Sequence, residues 1–314
     1  MNVLNIKNMG LLLSALVAFI ILRIPSLYEP HWYADEGIYA AITWGMENGK
    51  TLYTQLWDNK PPLIYYLYGL GDSHNRLIVI RALNLTAGLV TLVGLWKLIV
   101  LLDISKKARN IGIIYATLIL GTPILEGNIA NAENFFVPLI IFGYIFLLLK
   151  KPRYIVSGIF FGAAFLFKFH PFFDFAAAGL YLLITQRSLK KTGLFITGFC
   201  IPLVLQSAIL FLQGNLSAGI SIIFFNNFNY TQSYSQGIKS VEFRSLILVI
   251  GLILSSWLFY AKKISHQIYF LCLVALFEVY TGLFGGRRYV HYLIQVIPAV
   301  VLVSSFFVER TLEE

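Results

Sequence analysis

Residues 33–62, YADEGIYAAITWGMENGKTLYTQLWDNKPP, lie between two long apolar segments yet carry Asp35, Glu36, Glu47, Lys50, Asp58 and Lys60. Such a density of charge recurs almost nowhere else in the chain. The contrast decides the fold class, because the flanks have the composition of segments buried in lipid while this stretch must meet water. It is also the first place to look for chemistry.

Of the 314 residues, 58% are hydrophobic and 12% charged, and the mean hydropathy is +0.75. Soluble domains are nearer about half apolar and about a quarter charged, so the composition is that of a polytopic membrane protein. Apolar runs recur along the whole sequence, each long enough to cross ~30 Å of hydrocarbon as a helix. The reading is all-α, with about ten transmembrane helices near residues 9–27, 76–102, 110–125, 133–150, 154–170, 172–186, 192–213, 243–261, 267–284 and 291–308. No sizeable soluble domain is left over, so residues 1–314 read as one transmembrane domain whose first outer loop, 28–75, carries the chemistry.

Lys7 followed by the apolar run 10–24 has the outline of a signal peptide, but no small-residue cleavage site precedes the polar loop. The run therefore reads as an uncleaved first helix. Cys200 and Cys272 both fall in apolar segments without metal-ligand spacing, and read as buried small residues.

The net charge of +9 is not gathered into a nucleic-acid-binding patch. Its basic residues form short clusters at alternate connections: Lys106, Lys107 and Arg109; Lys150, Lys151 and Arg153; Arg187, Lys190 and Lys191; Lys262 and Lys263. The positive-inside rule puts these in the cytoplasm. The loop 28–75, the turn 126–132, the loop 213–242 and the turn GGRRYVHY then face outward.

Within the first outer loop an amphipathic helix is expected over about 35–47, lying along the membrane surface, and a short interfacial or re-entrant helix over 63–70. Pro61 and Pro62 break the chain between them. The third outer loop contains FFNNFNYTQSYSQG, which suits either a carbohydrate groove or an ordinary surface loop. There is no Gly-rich nucleotide loop, no HExxH, no Ser/His/Asp arrangement and no transporter-type internal repeat.

Four groups share the outer face: Asp35 with Glu36; Asp58 with Lys60; Glu133 in NAENFF; and Arg287, Arg288, Tyr289 and His291 in GGRRYVHY. Lys168 and His170 in FKFHP close a span on the same side. Cations and carboxylates on one face above spanning helices suit a reaction on a membrane-borne phosphate ester. The cations hold the phosphate and offset the charge of the leaving group, and a carboxylate takes the proton of an acceptor hydroxyl.

The runs ADEGIYA, WDNKPPLIYYLYGL, NAENFF and RRYVHYLIQVIPAV, in this order and each at an outer helix end, resemble the GT-C membrane glycosyltransferases. Specifically, they resemble the dolichyl-phosphate-mannose protein mannosyltransferase and aminoarabinose transferase relatives. The resemblance implies a GT-C-like fold, a polyprenyl-phosphate-linked sugar donor, a glycan, lipid or protein acceptor, and inversion at the anomeric carbon. By motif, Asp35 would be the general base and Glu133 the second acid, Lys60 the donor-phosphate contact, and Arg288, His291 and Lys168 further phosphate contacts. Glu36, Asp58 and Arg287 would support them. In relatives the second acid helps organise the site or a divalent metal; a Mg or Mn ion shared by Asp35 and Glu133 is left open.

Plainer readings stand beside these. Asp35 and Glu133 also suit helix starts, where the dipole favours anions, and the paired arginines suit headgroup anchors beside an interfacial tyrosine. His170 before Pro171 reads as a turn residue, and Trp32, Trp44 and Trp57 as an interfacial belt. A transporter or flippase of lipid-linked sugars, and a polymerase or ligase using diphosphate-linked donors, are the competing functions. The collection of charge at one face favours chemistry over passage.

Overall fold

The computed structural model describes residues 9–30, 33–226, 241–284 and 289–313. Helices α1 (Gly10–Arg23), α2 (Ala34–Glu47), α3 (Leu63–Tyr68), α4 (Arg76–Leu101), α5 (Lys106–Gly121), α6 (Ala132–Leu148) and α7 (Tyr154–Phe165) follow one another in the first half. The second half contains α8 (Pro171–Gln186), α9 (Leu189–Leu212), α10 (Leu216–Ile220), α11 (Val241–Tyr260), α12 (His266–Phe284) and α13 (Ile297–Glu313), the last entered through a 3-10 segment, Val290–Val296. Among the described residues the one β feature is an isolated bridge between Leu52 and Leu56.

Local chemistry accounts for the breaks. The side chains of Ser105 and Ser188 accept from the backbone N–H groups of Ala108 and Lys191 at the starts of α5 and α9. Pro171 occupies the first position of α8, where its missing N–H costs nothing. Asp103, Arg187 and Lys262, with φ of 56°, 46° and 56°, make the tight turns after α4, α8 and α11.

Among the described residues six segments are long and apolar enough to cross a membrane: Gly10–Leu27, Arg76–Leu101, Leu189–Leu212, Val241–Tyr260, His266–Leu283 and Val290–Thr311. The chain is an all-α integral membrane protein. The expected total of about ten spans is not reached by this measure. Helices α5, α6, α7 and α8 stand at the other four places, but have 16, 17, 12 and 16 residues. The difference is largest at α7, which stops at Phe165, so that Lys168 and His170 lie in the turn before Pro171.

The helices pack up and down, α7 against α6 and α9, α6 against α4, α1 and α13 against α5, and α12 against α8 and α11. A Cβ on Gly158 would run into the carbonyl of Phe195, and one on Gly198 into that of Ile155. In hydrocarbon no hydrophobic force drives helices together, so such backbone approach supplies the attraction. The cysteines are both free, but Cys200 is exposed on α9 and Cys272 half-buried, which corrects the expectation of burial. Both helices turn apolar faces outward, and a small apolar thiol is as acceptable facing lipid as facing a core.

Alternation of the helices sends the basic connections to one end of the bundle and Asp35, Lys60, Glu133, Lys168 and His291 to the other. Helix α2 covers the expected stretch, and α3 is a single buried turn and a half below it.

Candidate active site

Helix α2 is fixed by its second acid. Glu36 is fully buried, its Oε2 2.8 Å from Arg81 Nη2, while Oε1 accepts from Arg81 Nε at 3.3 Å and from the Ala130 N–H at 2.9 Å. Arg81 also donates to the carbonyls of Glu29 and Pro30, so one guanidinium ties α2, α4 and the chain before α6 together. At the other end of α2, Glu47 pairs with Arg76. Asp35, the adjacent acid, is half-buried and makes no hydrogen bond or ion pair among the described residues.

The break at Pro61–Pro62 brings Lys60 against α2. Its ammonium lies 3.8 Å from Asp58 Oδ2 and 4.9 Å from the centre of the Tyr39 ring. Asp58 accepts from the Tyr65 hydroxyl at 2.8 Å and from the Asn59 N–H at 2.7 Å. Tyr39 is fully buried and its hydroxyl has no hydrogen-bond partner among the described residues. Burial first, then the charges of Asp35, Asp58 and Glu133, raise the Tyr39 phenol far above its usual range. Three acids from the first loop and α6 thus surround one neutral hydroxyl.

Glu133, at the start of α6, is ion-paired with Lys168, whose ammonium also sits 3.9 Å from the centre of the Tyr292 ring. His170 packs on the same ring. Burial, then Lys168, lower the His170 imidazole well below its usual value; Glu133 opposes, and Lys60 and His291 add to the lowering. Lys60, Glu133, Lys168, His170 and His291 therefore act on one another within one region.

The fourth group unites three distant segments. Tyr33 donates its hydroxyl to Glu126 Oε2 at 2.8 Å, and His291 Nδ1 lies 2.8 Å from the same oxygen and 2.9 Å from the Tyr33 hydroxyl. Burial, then Glu126, hold the Tyr33 phenol in its protonated, donating form. Below it, Asp174 of α8 accepts from Gln295 at 2.9 Å and from Tyr144 at 3.1 Å, and Glu278 of α12 accepts from the Ala299 N–H at 2.7 Å. On the flank, α11 and α12 enclose an apolar groove of about 490 Å³ lined by Ile247, Leu254, Leu276 and Val279, with Arg244 and Tyr280 among its walls. Tyr280 contacts Phe173, which contacts Phe169 in the FKFHP turn.

Residues 59–211 match the model of the dolichyl-phosphate-mannose-protein mannosyltransferase family. The structure of ArnT from Cupriavidus metallidurans bound to undecaprenyl phosphate superposes with a TM-score of 0.62 at 18% identity, over 96% of this chain and 60% of that one. By fold, the chain is GT-C-like. The oligosaccharyltransferase of Archaeoglobus fulgidus, solved with a tethered acceptor peptide containing the NVT sequon, gives a TM-score of 0.51 at 12% identity over 98% of this chain and 50% of that one. The chain thus spans about half to three-fifths of the length of these solved structures. No curated protein matches it in sequence.

Within this GT-C fold the sequence candidates separate into roles. Asp35, Lys60, Glu133, Lys168 and His291 come to one end of the bundle, as their motifs imply. Glu36 is withdrawn from the site into its buried pair with Arg81, and Lys168 is engaged by Glu133. Arg287 and Arg288 lie outside the described residues. Among the described residues no group of three His, Cys, Asp or Glu side chains is disposed to hold a metal ion, and Glu133, one of the two acids offered for it, is committed to Lys168.

Sequence reasoning passed over Tyr33, Tyr39, Arg81, Glu126, Asp174 and Glu278. Asp174 and Glu278 carried a signal: an acid inside an apolar span is costly and marks a polar contact in the bundle. Nothing local distinguished Tyr33 or Glu126, whose meaning comes from meeting across the fold.

Proposed function

We propose that this chain transfers a sugar from a polyprenyl-phosphate donor to an acceptor hydroxyl at the outer face of the membrane, with inversion at the anomeric carbon. The observation that carries the reading is the state of Asp35. Glu36, Asp58, Glu126 and Glu133 are each engaged by a hydrogen bond or a cation. Among the described residues Asp35 alone of these five has no hydrogen bond or ion pair, and it is partly open, as a base awaiting a substrate proton must be. The family match, and the undecaprenyl phosphate held by the similar ArnT structure, support a polyprenyl-phosphate donor.

Asp35 takes the acceptor's hydroxyl proton as the oxygen attacks the anomeric carbon from the face opposite the phosphate. Lys60 and His291, with Lys168 behind them, offset the charge that grows on the departing phosphate, which leaves as an anion without a general acid. The donor's apolar chain lies in the groove between α11 and α12, which reaches the FKFHP turn through Tyr280 and Phe173. The basic connections at the opposite end support an outward-facing site by the positive-inside rule.

The test is transfer of labelled sugar from a polyprenyl-monophosphate donor in proteoliposomes, for wild type and Asp35→Asn, with and without a chelator. Loss of a general base lowers the rate by ~10²- to 10⁴-fold. A variant within about threefold of wild type removes Asp35 from the mechanism, and the chelator arm decides whether a divalent metal takes part.

A further inference from the structure

Glu126 has a backbone φ of +55°, in the left-handed region where a Cβ crowds its own chain and where glycine or asparagine is usual. A residue kept in such a conformation beside a site is a reason to ask what its side chain does. Here the carboxylate receives both the Tyr33 hydroxyl and His291 Nδ1. Tyr33 immediately precedes α2, two residues before Asp35, and His291 stands on the 3-10 segment that enters α13.

That segment and the start of α13 are held at three points. His291, Gln295 and Ala299, four residues apart, are held respectively by Glu126, by Asp174 of α8 and by Glu278 of α12. Gln295 and Ala299 are held from within the bundle, whereas the Nδ1 side of the His291 ring is held by Glu126 and Tyr33. With Nδ1 committed, Nε2 is the ring's remaining polar atom, and it has no hydrogen-bond partner among the described residues. The ring stacks on Tyr289 at 5.5 Å, meets Tyr292 edge-on at 4.9 Å, and contributes a charge felt by Glu133.

We infer that Glu126 is a positioning residue: together with Tyr33 it fixes the Nδ1 side of His291, accepting Nδ1–H, so that the ring in its imidazolium form presents Nε2–H to an anionic oxygen of the lipid phosphate. The same contact sets the distance between the phosphate-binding histidine and the helix that carries Asp35. The inference rests on the lipid-phosphate reading above and adds to it a residue that no motif points to. Since charge on the leaving phosphate is greatest as the sugar bond breaks, the arrangement favours the transition state over the bound donor, and its loss falls on kcat more than on KM.

The experiment measures donor KM and kcat, direct binding of polyprenyl phosphate to the detergent-solubilised protein, and the thermal midpoint. It uses wild type, Glu126→Gln, Glu126→Gly, His291→Ala and the Glu126→Gln/His291→Ala double variant. Mispositioning by about an ångström costs up to about 100-fold, so Glu126→Gln is expected to lose about 10- to 100-fold in kcat with a smaller change in KM. It is also expected to bind polyprenyl phosphate more weakly, and to add nothing once His291 is alanine. Glycine, at ease with positive φ, should keep the thermal midpoint while losing the same activity.

Equal losses from Glu126→Gln with and without His291 would overturn the inference, as would a glycine variant whose midpoint falls in step with its activity. So would polyprenyl-phosphate binding and kcat unchanged in Glu126→Gln beside an active wild type, which leaves the functional reading intact. A wild type that neither binds polyprenyl phosphate nor transfers sugar overturns both.

Discussion

Asp35 and Glu36 are neighbours of the same charge, and the structure assigns them opposite consequences when neutralised. Glu36 is fully buried and Arg81 is 2% exposed, with the pair at 2.8 Å and a backbone N–H of the α5–α6 connection on the same carboxylate. Glu36→Gln keeps the volume but leaves the Arg81 charge buried against the carbonyls of Glu29 and Pro30. Breaking one side of a buried ion pair costs about 3–5 kcal/mol, since the remaining charge has lost its compensation. At ~2–4 °C per kcal/mol, the thermal midpoint should fall by at least roughly 6 °C. Asp35→Asn removes no partner, and should shift the midpoint by less than about 2 °C.

The measurement is thermal unfolding of both variants in one detergent, followed by transfer activity well below either midpoint. Asp35→Asn should unfold like wild type and be inactive. Glu36→Gln should be the destabilised one, with residual activity that tracks the folded fraction. A Glu36→Gln protein within about 1 kcal/mol of wild type would refute the anchoring argument. A midpoint loss of equal size in Asp35→Asn would refute the separation of roles.

Other outcomes follow from the same contacts. Lys168→Ala leaves Glu133 buried without its cation, and should destabilise by about 3–5 kcal/mol; the Lys168→Ala/Glu133→Ala double variant should be less destabilised than the two singles together, as a thermal double-mutant cycle would reveal. Gly158→Leu drives a side chain into the α9 backbone at Phe195, and should cost more than the roughly 1–3 kcal/mol of ordinary overpacking, read as a loss of folded, monodisperse protein. Tyr39→Phe removes a buried hydroxyl that has no hydrogen-bond partner among the described residues, so the midpoint should hold or rise; a fall in transfer without loss of stability would mark that hydroxyl as facing substrate.

The sequence by itself determined the class of the protein. Long apolar runs admit only helices in hydrocarbon, since every backbone polar group must be satisfied within its own segment. The alternation of basic connections sorts the two ends without reference to any contact, and the charged stretch 33–62 marks the site end. Motif order was enough to bring out the GT-C likeness, and with it Asp35, Lys60, Glu133 and His291. Span length was less legible. Apolar composition continues through Leu166 and Phe167, while the helix ends at Phe165 because the chain turns to bring Lys168 to Glu133.

Tertiary structure decided which of several like residues does what. Asp35 and Glu36 differ in sequence by one position, yet only the second meets Arg81, 45 residues away. Glu126 has no local signature, and its role exists only where the chain brings Tyr33 and His291 to it across 93 and 165 residues. Periodicity and composition report what a side chain prefers within its own helix, whereas the energy of a buried charge depends on the partner that the fold delivers, and that partner lies on another element.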